Sequence, residues 1–123
     1  MFIAKNNGKQ VCARCGRSCM NLTKDHFFPR QFLDTLKTHK EFAIASQNNL
    51  ICICQECNRF KSNKIVPHNW YKYLSKCDRI RLKNKIRTYK KELIKYITYI
   101  HYNSGVLSEK QYHGLKGYIL NIR

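Results

Sequence analysis

Acidic residues are scarce in this chain: seven Asp plus Glu stand against 24 Lys plus Arg, for a formal net charge of +17 over 123 residues. The acids are also dispersed. Asp34, Glu41, Glu56, Asp78, Glu92 and Glu109 show no paired spacing, so chemistry that needs three or four clustered carboxylates is hard to assemble here. Long apolar runs are missing too, and none approaches the length of a bilayer span. The opening Met1-Phe2-Ile3-Ala4 is too short for a signal-peptide core and runs straight into Lys5. A soluble, intracellular (cytoplasmic) protein without a membrane partner is expected. Internal repeats, low-complexity tracts and Pro/Gly-rich linkers are absent, with only two prolines and five glycines. A chain of this length sustains one core better than two, since splitting it would leave both marginal.

The charge is the strongest bulk signal. Self-repulsion of this size weakens a compact state, so a polyanionic partner is implied, with DNA first and RNA as the alternative. A membrane surface or an RNA-rich assembly would attract the same charge, which therefore names no function. The excess of Lys, Asn, Ile and Tyr echoes AT-rich coding and fits a phage or mobile element, but it does not account for the shortage of acids. Hydrophobic content of 43% is that of a folded protein.

Texture divides the chain into residues 1–66 and 67–123. In the first part, residues 21–24 and 50–53 read as short strands. Between them, residues 29–48 form a long loop, or a loop with a short helix near residues 31–36. In the second part a short helix is expected over residues 68–74, opened by Pro67. Leu82, Ile86, Tyr89, Leu93, Ile97 and Ile100 recur at steps of three and four, which predicts one long helix over residues 78–102. Asp78 is placed to cap it and Asn103-Ser104-Gly105 to stop it. Ser108 with Gln111 has the spacing of a capping box opening a last helix, with Tyr112, Leu115 and Ile119 along one side.

Seven cysteines, an odd number, argue against a disulfide framework in a cytosolic chain. Two pairs have Cys-x-x-Cys spacing, Cys12/Cys15 and Cys54/Cys57. Each such knuckle turns two thiolates to one side of a tight turn, and two knuckles complete a tetrahedral site, so structural Zn²⁺ is expected there. Unmetallated thiols are the competing reading. Cys19, Cys52 and Cys77 are left over as ordinary small residues.

Between the knuckles lies Asp25-His26-Phe27-Phe28-Pro29-Arg30. A carboxylate beside an imidazole suits metal-assisted hydrolysis, because the hard oxygen holds a cation and the ring takes a proton from water near neutral pH. Alone the dipeptide is a weak signal. Its context is Asn49-Leu50 and then Cys54-Gln55-Glu56-Cys57-Asn58-Arg59-Phe60-Lys61, where the second knuckle runs directly into Asn58 and Lys61.

The ordered set Cys-x-x-Cys, Asp-His-x-x-Pro-Arg, Asn-Leu, Cys-x-x-Cys-Asn-x-x-Lys resembles the zinc-stapled HNH endonucleases over residues 12–64, about half of the chain. The resemblance implies an α+β fold, a small zinc-stapled ββα-metal module followed by a basic helical extension. It implies a nuclease that hydrolyses phosphodiester bonds and leaves 5′-phosphate and 3′-hydroxyl ends, as a nickase or a double-strand cutter. Carried over by position, Asp25 is a metal ligand, His26 the general base, Asn49 the residue that holds the histidine-bearing loop, and Asn58 the last ligand. Asn48 competes with Asn49, and Asn58 stands where many members have histidine. The oxygen donors of Asp25 and Asn58 favour Mg²⁺ or Mn²⁺. Asn58 also suits a helix N-cap.

Arg30, Arg59, Lys61 and Lys64 are candidate phosphate contacts, continued along the tail by Arg79, Lys83 and Arg87. Trp70, Tyr71 and Tyr73 are candidates to stack on exposed bases, with packing against the module the favoured use of Trp70. The apolar stripe of the tail is a core face or the seam of a homodimer; a monomer is equally compatible. The competing function is a zinc-containing nucleic-acid-binding module that does not cut, and an RNA-bound structural protein has only the charge in its favour.

Overall fold

The structure, a computed structural model, describes residues 1–18, 21–36, 47–62 and 64–123. Cys19, Glu41 and most of the long connection expected before Asn48 lie outside them. The fold is mixed α and β, with two small antiparallel sheets and five α-helices among the described residues. It divides into two compact units, Met1–Ile80 and Arg81–Arg123.

In the first unit, β1 (Ala4–Asn6) and β2 (Lys9–Val11) form a hairpin closed by Asn7-Gly8. Both turn residues have positive φ, 52° and 78°, which Asn and Gly tolerate and a two-residue hairpin turn requires. β3 (Leu22–His26) pairs with β4 (Leu50–Cys54), setting Asp25 opposite Ile51 and His26 opposite Leu50. The two strands run one or two residues past the segments read from sequence, so that Asp25, His26 and Cys54 belong to the sheet. On its other edge β4 receives Phe2, whose N–H donates to Leu50 O and whose carbonyl accepts from Cys52 N–H. β4 is thus interior, and all of its residues after Leu50 are buried.

α1 (Arg30–Leu33) follows β3, and α2 (Gln55–Lys61) follows β4 without a linker. Between α1 and β4 a 3₁₀ turn covers Gln47–Asn49. An aromatic cluster fills the space behind β3: Phe27 lies 5.1 Å from Phe28 and 6.0 Å from Tyr71, and Phe28 lies 5.2 Å from Phe32. Tyr71 follows the expected helix after Pro67, which is one 3₁₀ turn, His68–Trp70. Residues 67–80 belong to the first compact unit, with Tyr71 fully buried and Tyr73 N–H bonded to Ala13 O.

The single long helix expected over residues 78–102 is two helices, α3 (Lys76–Thr88) and α4 (Lys90–Ser104). The break falls at Tyr89, whose φ of −112° and ψ of 25° leave the helical region. Its N–H is shared between Lys85 O and Ile86 O, and Thr88 Oγ1 bonds back to Asn84 O, so the turn tightens and ends. Ser75 rather than Asp78 supplies the cap of α3, accepting from Asp78 N–H at 3.1 Å. Gly105, at φ 65°, ends α4 as expected. The capping box of α5 (Glu109–Asn121) is formed on both sides by Ser108 and Gln111. In the second unit α4 and α5 pack together, with Tyr112 and Ile119 buried and Leu115 half-buried.

Candidate functional site

The cysteine knuckles are formed by backbone geometry. Cys12 ends the β1–β2 hairpin and Gly16 closes the first turn with φ 76°. A side chain at residue 16 would be strained by that φ, and its Cβ would fall 2.5 Å from the Tyr73 ring. Cys54 ends β4 and is also the N-cap of α2, its sulfur accepting from Cys57 N–H at 3.5 Å. Cys12 Sγ accepts from Arg14 and Cys15 N–H groups in the same way.

The four sulfurs of Cys12, Cys15, Cys54 and Cys57 lie within 4.8 Å of one another, and Cys15 Sγ is 3.9 Å from Cys54 Sγ. Tetrahedral zinc with bonds of roughly 2.3 Å sets its sulfurs roughly 3.8 Å apart. The cluster therefore fits a zinc ion and is far too open for a disulfide. Burial alone would raise the Cys15 thiol, but hydrogen bonds from Arg17 and from its cysteine neighbours bring it down to about 6. Burial pushes the Cys57 thiol up. Cys52 is buried against Met1 and Cys77 is exposed, and neither belongs to the group of four.

Beyond the cluster, α2 lies against one face of β3. Thr23 and Asp25 share that face by strand alternation. Asn58 Nδ2 donates to Thr23 Oγ1 at 3.0 Å, and one helical turn later Lys61 meets Asp25. Asp25 is buried, at 5% exposure, and both oxygens are engaged: Lys61 Nζ lies 3.4 Å from Oδ1 and 3.3 Å from Oδ2, and Tyr71 OH donates to Oδ2 at 3.0 Å. Burial pushes the Asp25 carboxyl up, against the opposing pull of Lys61 and the Tyr71 hydroxyl. Lys61 also donates to the His26 carbonyl at 2.8 Å. At 1% exposure it is not a phosphate contact, a correction to the sequence expectation. The spacing that made Lys61 a candidate clamp puts it on the inner face of α2, as one turn from Asn58 dictates.

His26, at the end of β3, is half-buried on the alternate face. Burial, then the charge of Arg30, lowers its pKa, which favours the neutral ring. The loop after it is clamped by Asn49, 2% exposed. Asn49 Oδ1 accepts from Phe28 N–H at 2.8 Å, Nδ2 donates to Phe28 O at 3.2 Å, and its own carbonyl accepts from Phe27 N–H. Asn48 beside it is exposed, so the buried clamp on Phe28 is made by Asn49.

Asp25 and His26 thus lie on β3, Asn49 on the 3₁₀ turn before β4 and Asn58 on α2, with Lys61 and Tyr71 against Asp25. Tyr71, from sequence a candidate for base stacking, is the residue that sequence reasoning misses; an aromatic four residues past a proline carries no sign that its hydroxyl reaches a carboxylate. Asn58 is not the cap of α2, which is Cys54. Arg30, Arg59 and Arg87 are exposed, Lys64, Arg79 and Lys83 half-buried. Arg79 Nε is a buried atom without a hydrogen-bond partner. Arg87 is tied to Asn84 Oδ1 and Arg123 O.

Comparison with known proteins gives no match: no family model, no curated protein and no solved structure matches the chain. Among the described residues no helix is long and apolar enough to cross a membrane.

Proposed function

We propose that the chain is a metal-dependent endonuclease of the HNH, ββα-metal kind, hydrolysing phosphodiester bonds in DNA to 5′-phosphate and 3′-hydroxyl ends. The observation that carries the reading is the two-ended grip of Asn49 on Phe28. A general base must be held in one orientation, and here the turn directly after His26 is locked to the start of β4 by both ends of one buried carboxamide. The antiparallel β3–β4 pair leading straight into α2 supports the same reading, as does the neutral state that burial favours for His26.

In this scheme His26 takes a proton from water in line with the scissile phosphorus. Asp25 and Asn58 would hold Mg²⁺ or Mn²⁺ through oxygen, and Asn58, which donates through Nδ2, keeps Oδ1 for that purpose. Such a cation, when bound, stabilises charge on the phosphate and on the leaving oxygen. Zn²⁺ on Cys12, Cys15, Cys54 and Cys57 would be structural. Arg30 and Arg59, both exposed and flanking these residues in sequence, supply phosphate contacts.

A second reading, a zinc-stapled nucleic-acid-binding module without cleavage, is favoured by one observation. The Asp25 carboxylate already has two protein partners and little open surface. The test is incubation of pure protein with supercoiled plasmid, with added Mg²⁺ or Mn²⁺ and without. The parent should yield nicked or linear product only with metal, and His26→Ala should lower the rate by about 10²–10⁴-fold while keeping its zinc. Equal cutting by His26→Ala would end the nuclease assignment of this site; no cutting by the parent would favour the binding module.

A further inference from the structure

The outer face of α2 carries a different set of residues from its inner face. With 3.6 residues per turn, Asn58 and Lys61 look toward β3, whereas Glu56 and Phe60 line up on the other side, with Cys57 at the border between them. That side forms one wall of a groove of about 420 Å³ whose other walls include Arg14, Arg17 and Trp70. Phe60 is 72% exposed, unusual for a phenylalanine on so short a helix, and Lys64 Nζ stands 5.8 Å from its ring centre. Across the groove the Arg14 guanidinium lies 5.1 Å over the Trp70 ring. Trp70 is itself braced edge-on by fully buried Tyr71, at 5.0 Å and 89°. The Arg14 wall is thereby stiffened.

We propose that this groove binds an unstacked nucleotide of a single strand, its base lying on Phe60 and against the Arg14 guanidinium, its phosphate held by Arg14 and Lys64. Three properties select this occupant. The volume is that of a small-ligand site and accommodates one nucleotide. The walls offer one exposed ring face and a guanidinium plane, the two surfaces on which splayed bases stack. The only carboxylate among the lining residues, Glu56, is paired with Arg17, while Arg14 and Lys64 are in no ion pair among the described residues and so are left to meet a phosphate. An acidic peptide would match the charge but has no planar ring for Phe60, and a duplex keeps its bases stacked away from it. The proposal takes from the proposed function only that the partner is nucleic acid; it does not require cleavage.

Trp70 is the sole tryptophan, so its fluorescence reports on this groove alone. The full chain, with no divalent cation added, is titrated with a short oligothymidylate, with the same sequence as a duplex, and with polyglutamate. Saturable quenching by the single strand is expected, with much weaker quenching by the other two. Phe60→Ala, exposed and so harmless to folding, should weaken single-strand binding about tenfold. Arg14→Ala should weaken it and flatten its salt dependence. Equal quenching by polyglutamate or duplex, or an unchanged affinity in Phe60→Ala, overturns the proposal. His26→Ala should quench like the parent. A chain that quenches but never cuts therefore loses the nuclease reading alone, and one that cuts without quenching loses only this one.

Discussion

A buried carboxylate destabilises a fold unless its lone pairs are used, and Asp25 is matched by Lys61 and Tyr71, which arrive from later in the chain. Removing one partner leaves the other charge buried and alone. Lys61→Met should therefore cost about 3–5 kcal/mol in urea unfolding, and Tyr71→Phe about 1.5–3 kcal/mol. The double variant Asp25→Asn/Lys61→Met should lose less than the sum of the two singles, since no unpaired ion remains. A loss below about 1 kcal/mol in Lys61→Met would mean the pair is not buried as described. Asn49→Ala should cut the cleavage rate less than His26→Ala, because it loosens the loop and leaves the base in place. At this scale the adjacency of Asp25 and His26 is legible in the sequence itself, and so is the candidacy of Asn49, whose carboxamide bonds both backbone groups of Phe28. The hold of Lys61 and Tyr71 on Asp25 is not, because it joins residues 36 and 46 positions away through side-chain ends, which no local pattern encodes.

Helices show where sequence reading stops for a different reason. The capping box at Ser108 and the glycine stop at Gly105 are local rules and were readable. The break at Tyr89 was not, since the apolar period runs straight across it and both halves bury their stripe: Leu82 and Ile86 before it, Leu93 and Ile97 after. The start of α5 also carries a titratable contact. Glu109, in its first turn, meets His101 Nε2 at 2.9 Å and His113 Nε2 at 3.1 Å. The hydrogen bond from His101, ahead of the other contributions, holds the Glu109 carboxyl below its ordinary value of 4.5. A depressed acid contributes stability that is full above its unfolded pKa and is lost as pH falls through the folded one. Melting temperatures from about pH 6 down to about pH 3 should thus fall less steeply in Glu109→Gln than in the parent. Parallel slopes would remove Glu109 from the acid response.

For the whole molecule the governing quantity is charge. With 24 basic residues and seven acids, DNA affinity should be dominated by counterion release. If six or more phosphates are contacted, affinity should fall by about 10³-fold or more between roughly 50 and 200 mM salt. A flat response would leave the excess charge without a partner. Protein purified without added metal should carry one zinc per chain by elemental analysis, and Cys54→Ser should lose the metal while keeping a capped α2, since a serine hydroxyl accepts at an N-cap as well as a thiol does. The two-unit division of the chain was only partly legible: composition changes near residue 66, but compactness changes at Ile80, after Tyr71 and Tyr73 have joined the first unit.

Cys15 and Cys54 face each other across 39 positions of chain. Bringing such distant points together is a loop-closure cost paid before most sheet contacts can form, and it slows folding in proportion to how non-local the contact is. A metal that grips one knuckle in the unfolded chain and waits for the other would turn a rare encounter into a retained one. Cys54 both closes that loop and caps α2, so the ring and the helix bearing Asn58 and Lys61 share one residue. If zinc fills the cluster, refolding should speed up with free zinc concentration, and zinc-starved chains should be slow to bring their two knuckles together.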